Sequence, residues 1–275
     1  MNTVYGSGAG VSGLAAPDWT ALGRQFDGPG VAAIALMGSH GRGDAGPYSD
    51  VDLVRFLAEE APHPAGDGSH WIDGRLVVVS THTPASAARI LVDPEAACQN
   101  LMGLRTARAL VDRDGHFAAL QARAQAFRWD AAMQTRANGR AAELLAGWIE
   151  EAHKGLEGLR RGDTGRLLNA QFGLSWGLST VMMVQRGILL ASDNDVWDGI
   201  NRVLGEDSTW VRLRHAVFGL GCDPGGLSGL QARVRAGLAL YVETVALMHE
   251  ALPEPQRAMI LATCARIQTF WKRGE

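Results

Sequence analysis

Lysine is almost absent from this chain: Lys154 and Lys272 stand alone among 26 basic residues. Against 29 acidic residues the formal charge is −3, so the basic excess that tracks a nucleic-acid backbone is missing. Cysteine is scarce too. Cys98, Cys222 and Cys264 are odd in number and far apart, which excludes a disulfide framework and reads as buried thiols of a reducing compartment. The eight histidines show no His-x-x-x-His spacing, and no Cys-x-x-Cys occurs, so a zinc site is not indicated. The longest apolar run, Val31–Met37, falls far short of the roughly 20 residues that span a bilayer. No basic stretch precedes an apolar one near the start, so no secretory leader is read and the expected location is the cytoplasm.

What is present is apolar surface enough for a sizeable core: 47% of the 275 residues are hydrophobic, a length that suggests about two domains. Residues 1–16 are rich in Gly, Ala and Ser and read as a flexible arm. They contain Gly8-x-Gly10-x-x-Gly13, but a dinucleotide fingerprint needs a strand before it and a helix after it, and Pro17 follows closely. Asp18 is placed as an N-cap for a short helix through Trp19, Leu22 and Phe26. Strands are predicted at Val31–Met37, Val51–Phe56 and Arg75–Ser80, with a shorter one near Ala109–Val111. Between the last two, 84–106 has helical patterning. From Phe117 onward strand patterns nearly vanish. Helical patterns cover 118–128, 129–161, 166–190, 193–204, 209–218, 227–252 and 255–272. The expectation is an α+β chain: a domain over 17–125 with a small mixed sheet and flanking helices, then an all-helical bundle over 126–275.

The chemistry concentrates in 38–52, which reads Gly-Ser-His-Gly-Arg-Gly-Asp-Ala-Gly-Pro-Tyr-Ser-Asp-Val-Asp. A buried strand ending at Gly38-Ser39 lets the backbone approach a ligand closely, and a short helix after it would aim N–H groups and the Ser39 hydroxyl at an anion. Arg42 offers a planar fork for phosphate. Asp50 and Asp52 are two apart at a strand start, so both carboxylates fall on one face. Two such charges about 6 Å apart repel by roughly 3 kcal/mol at an effective dielectric of about 20. A divalent cation removes that repulsion, and magnesium favours one or two carboxylates plus substrate phosphates.

Gly38-Ser39 followed by Asp50-x-Asp52 resembles the motif of the DNA polymerase β-like nucleotidyltransferase superfamily. Within it, Gly-Pro-Tyr-Ser-Asp at 46–50 and the helical second half resemble the aminoglycoside 4′-O-nucleotidyltransferases, kanamycin nucleotidyltransferase among them. The resemblance implies a nucleotidyltransferase domain in the first half, with Mg²⁺ at Asp50 and Asp52. It implies triphosphate contacts from Ser39, Arg42 and Ser49 beside Gly38, and ATP or another nucleoside triphosphate as donor. A catalytic glutamate opening the helical domain falls at Glu151 by ungapped counting, as general base on the acceptor hydroxyl. The resemblance further implies a homodimer and a small-molecule hydroxyl acceptor, aminoglycoside-like in class. Lys154 lies one turn on, as a phosphate contact or as an i,i+4 partner of Glu150.

One departure stands out. The superfamily carries a third carboxylate on the next core strand, whereas 75–80 reads Arg-Leu-Val-Val-Val-Ser. Asp73 precedes that strand and His82 ends it. Two readings follow: a magnesium-dependent transferase of nucleoside monophosphate, or a nucleotide-binding protein of the same fold with weakened catalysis.

Overall fold

The computed structural model describes residues 17–60, 63–221, 225–254 and 256–274. The arm expected over 1–16 with its Gly8-x-Gly10-x-x-Gly13 run, Cys222 and Pro255 lie outside them. The chain divides into two compact units, one of residues 1–89 and 102–127, the other of 90–101 and 128–275. It is a mixed α/β region with a small sheet, followed by an all-helical bundle.

In the first unit, α1 (Trp19–Gln25) starts where the Asp18 carboxylate accepts from the amides of Thr20 and Ala21, both at 3.0 Å. β1 (Val31–Leu36) is buried at every position, which explains its uninterrupted apolar sequence. It leads into the one-turn α2 (Gly38–Arg42), then β2 (Val51–Leu57), β3 (Gly68–Ile72) and β4 (Arg75–His82). After α3 (Pro84–Arg89) comes α4 (Pro94–Thr106), whose residues up to Leu101 count with the second unit; β5 (Arg108–Asp112) and α5 (His116–Ala126) complete the first. The sheet order is β3-β4-β2-β1-β5; β2 and β4 run parallel and the other pairs antiparallel.

β3 is the strand the sequence pattern does not announce. It is a mostly exposed edge of five residues, Gly-Ser-His-Trp-Ile, with little apolar periodicity. Asp73 and Gly74, with φ of 49° and 73°, make the tight hairpin turn that pairs Ile72 with Arg75.

The two sheet faces differ. One carries Val51, Leu53, Val77 and Val79 and packs with Leu22 and Phe26 around α1. The same side holds Arg55, only 2% exposed. Its guanidinium donates to Thr81 Oγ1 (3.0 Å), to the Ala65 and Pro64 carbonyls, and to Asp67 Oδ1 (2.5 Å). A buried cation with four acceptors fastens the 63–67 loop to the sheet. The opposite face carries Asp52, Val54 and Phe56 on β2. The Phe56 ring meets Phe117 of α5 at 5.2 Å.

In the second unit, α6 (Ala131–Gly147) and α7 (Ile149–Arg161) replace the single helical pattern expected over 129–161; the break falls at Trp148. Gly147, the last residue of α6, immediately precedes it. α8 (Thr164–Phe172) and α9 (Leu178–Gln185) are likewise separate, joined by a π-helical turn at Gly173–Gly177. The Trp148 ring explains that turn. A Cβ on Gly177 would lie 2.1 Å from Trp148 Cε2, so only glycine leaves room for the indole. α10 (Val196–Leu204), α11 (Thr209–Phe218), α12 (Gly226–Met248) and α13 (Gln256–Lys272) complete the bundle. Leu145, Leu178, Trp210, Leu238 and Tyr241 are among its core residues. Trp210 Nε1 donates to Thr244 Oγ1 at 2.8 Å, which satisfies the buried indole. Cys98 and Cys264 are buried, and burial pushes their thiols up to about 12 and about 11. Among the described residues no helix is long and apolar enough to cross a membrane.

Candidate active site

The site is built where β1 ends. Gly38 takes φ +58°, and a Cβ there would lie 2.1 Å from Asp52 Oδ2. Only glycine permits both the backbone turn and the carboxylate packed against it. The Met37 amide donates to the Asp52 carbonyl at 2.9 Å, so one backbone bond fixes the corner relative to β2. Asp52 lies inside β2, and Asp50 is one residue before the strand.

Ser39, His40 and Arg42 lie on α2. Arg42 Nε donates to Asp44 Oδ2 at 3.1 Å, so the turn holds an internal counter-charge. Ser49 closes the following loop: its Oγ accepts from the Gly46 amide at 2.9 Å and its own amide donates to the Gly46 carbonyl at 3.1 Å. His40, which the motif reading did not select, connects these parts. Its ring meets the Trp19 ring edge-on at 5.3 Å, and the Ser49 backbone, Asp50 and Arg75 all act on its charge. Burial, helped by the Arg75 charge, holds its imidazole below the ordinary value despite the Ser49 carbonyl and Asp50. The only sequence signal was its place between Ser39 and Gly41.

The register identifies which residue stands where a third acid would. Asp52 pairs with Val78 in the parallel β2–β4 ladder, and Val78 pairs with Ser69 of β3. Paired residues share a face, so Val78 is the neighbour of Asp52. His82 is not a substitute. It pairs with Phe56, four residues along β2, stacks on that ring at 5.6 Å and bonds Ser86 Oγ through Nδ1 at 3.0 Å. Asp73 is used in the hairpin turn.

Among the described residues no group of three or more His, Cys, Asp or Glu side chains is placed to hold a metal. Asp50 and Asp52 are an oxygen-only pair beside a glycine corner. That donor set fits one magnesium ion whose remaining positions are filled by phosphate and water. It does not supply a protein cage for two.

In the helical unit, Glu151 and Lys154 lie on the first turns of α7. Lys154 Nζ is 2.8 Å from Glu150 Oε1 and 3.1 Å from Glu151 Oε1, so both glutamates share one cation. Glu151 is 17% exposed, and a Cβ on Gly173 would lie 2.5 Å from its Cγ. The glycine of the π-helical turn therefore admits the Glu151 stem.

Residues 19–86 match the family described as nucleotidyltransferase domain. Among curated proteins none matches the chain. The crystal structure of a nucleotidyltransferase-like protein from Exiguobacterium sibiricum 255-15 is similar at a TM-score of 0.46 and 12% identity, over 90% of this chain and 86% of that one. The matched segment runs from α1 into α3 and contains the Gly38 corner and both aspartates. The first unit thus carries a nucleotidyltransferase-like domain.

Proposed function

We propose that this protein transfers a nucleoside monophosphate, AMP from ATP in the simplest case, to a hydroxyl of a small molecule. The observation that carries the reading is the close approach of Asp52 to Gly38 inside the segment that matches a nucleotidyltransferase domain. Asp50 and Asp52 would hold one Mg²⁺, which when bound neutralises phosphate charge and orients the triphosphate. Ser39, Arg42 and Ser49 bind phosphate oxygens beside the Gly38 corner, Arg42 leaving Asp44 to do so. The acceptor oxygen forms a bond to the α-phosphorus, the bond from the α-phosphorus to the oxygen bridging to the β-phosphate breaks, and pyrophosphate leaves. Glu151 takes the acceptor proton, and Lys154 orients that carboxylate or contacts phosphate. The dimeric, cytoplasmic enzyme and its aminoglycoside-like acceptor belong to the same proposal, supported by the resemblance at 46–50.

A second reading is favoured by Val78: a protein that binds nucleotide but turns over slowly, because the carboxylate beside Asp52 is replaced by an apolar side chain. Pyrophosphate release from ATP and Mg²⁺, measured over a panel of hydroxyl acceptors, separates the two. Release above background that is lost in Asp50→Asn supports transfer. Binding without release on any acceptor supports the second reading.

A further inference from the structure

Helices α7 and α13 of the bundle face each other across an open groove of about 590 Å³. His153, Glu157 and Arg160 line it from α7, and Arg266, Phe270 and Arg273 from α13. The volume lies within the range of small-molecule sites. Three guanidinium groups thus face one carboxylate, on a chain whose formal charge is −3.

That carboxylate is already committed. Glu157 accepts from Arg160 Nε and Nη2 at 2.9 and 2.6 Å, and Arg161 from the same helix also pairs with it. Arg266 and Arg273 have neither an ion pair nor a side-chain hydrogen bond among the described residues. Arg235 of α12 is not in the lining; its guanidinium lies 5.9 Å from the Phe270 ring. His153 does not add to the like charge: burial and Arg266 both disfavour its protonation.

We propose that this groove binds a small molecule carrying several phosphoryl groups, held between Arg266 and Arg273 with Arg160 opposite. Guanidinium forks match tetrahedral oxyanions, which lysine does less well. Arg266 and Arg273 are seven residues apart on one helix face, about 10 Å along the axis. Rooted that far apart, the two side chains can grip neighbouring groups of an elongated anion, which a chain of phosphates supplies. The groove lies wholly within the helical unit, so the proposal stands independently of the nucleotide corner at Gly38.

The test uses inorganic tripolyphosphate, titrated calorimetrically into the full chain at 150 mM KCl with EDTA. An Asp50→Asn/Asp52→Asn background silences the metal-dependent corner. Saturable one-to-one binding is expected there. It should weaken at least tenfold on adding Arg266→Gln/Arg273→Gln, and recover in part with Arg266→Lys/Arg273→Lys, with melting temperatures monitored to establish that each variant folds. Equal binding with and without the two arginines overturns the proposal, as does sulfate binding as tightly as tripolyphosphate. So does absence of binding together with a dimer that dissociates in the glutamine variant, since the arginines would then serve a second copy of the chain. If binding instead requires Mg²⁺ in place of EDTA and intact Asp50 and Asp52, and is indifferent to the arginines, the anion belongs to the Gly38 corner and only this proposal is overturned.

Discussion

Val78 stands directly beside Asp52 on the parallel β2–β4 ladder, on the same face of the sheet. The residue beside Asp52 on the next strand is therefore an apolar one, and the carboxylates at the Gly38 corner are Asp50 and Asp52.

Restoring an acid at that position tests this. Val78→Asp brings a carboxylate to about 5 Å from Asp52, the spacing of neighbouring strands. At an effective dielectric of about 20 the added repulsion is roughly 3 kcal/mol in the metal-free protein. The melting temperature in EDTA should fall. Affinity for Mn²⁺, measured by calorimetry, should rise at least tenfold. Unchanged Mn²⁺ affinity would mean that the two positions do not share a ligand sphere.

Gly38→Ala should damage the corner without unfolding the domain. The new methyl would meet Asp52 Oδ2 at 2.1 Å, and the backbone would hold alanine at φ +58°. Strain of about 1–2 kcal/mol is expected in melts, with displacement of the carboxylate lowering turnover by about a hundredfold. Turnover within twofold of the parent would remove Asp52 from the chemistry.

How much of this was legible in sequence follows from burial and periodicity. β1 and the Asp18 cap were readable because full burial demands an unbroken apolar run and an N-terminal amide demands an acceptor. β3 was not, since an exposed edge strand needs no apolar alternation; Asp73-Gly74 was the available signal. At the break before α7 the sequence offers only Gly147; the place of the Trp148 indole, over Gly177 much further along the chain, is tertiary. For the proposed site, Gly38, Ser39, Arg42, Asp50 and Asp52 stood out by residue type and spacing, and Ser49 came with the family resemblance. The absence of an acid in 75–80 was also plain. That Val78 is the residue beside Asp52 required the strand register, and the position of His40 required the fold of the loop onto Ser49.

Asp67 gives the acid limb of stability a defined contributor. Burial opposes its ionisation, but hydrogen bonds from Thr81 and Arg55 outweigh it and hold the carboxyl below the ordinary 3.8. A depressed folded value stabilises above the unfolded value and is lost as pH falls through the folded one. Asp67→Asn should cost about 1 kcal/mol at pH 7, allowing for solvent screening of a partly exposed group. In urea melts that difference should shrink as the pH is lowered below 3.8. A difference independent of pH would exclude ionic pairing with Arg55.

Arg214 is fully buried, 4.1 Å over the Trp197 ring, donating to Ser179 Oγ, Asn201 Oδ1 and the Trp197 carbonyl, each at 3.0 Å. Burial lowers its guanidinium to about 10. Arg214→Ala should destabilise the helical bundle by about 3 kcal/mol, through lost packing and acceptors left unpaired. Arg214→Lys should recover only part, since an ammonium cannot reproduce three divergent donors. Chemical denaturation of the full chain reads both, and near-wild-type stability of Arg214→Ala would contradict the assignment.

The account stands on a metal–nucleotide complex held by Asp50 and Asp52 at the Gly38 corner. Calorimetric titration with a non-hydrolysable ATP analogue, with and without Mg²⁺, measures that most directly. The prediction is one equivalent bound, at least tenfold tighter with Mg²⁺, and loss of that Mg²⁺ effect in an Asp50→Asn/Asp52→Asn protein that still melts cooperatively. An identical Mg²⁺ effect in the double variant would contradict it.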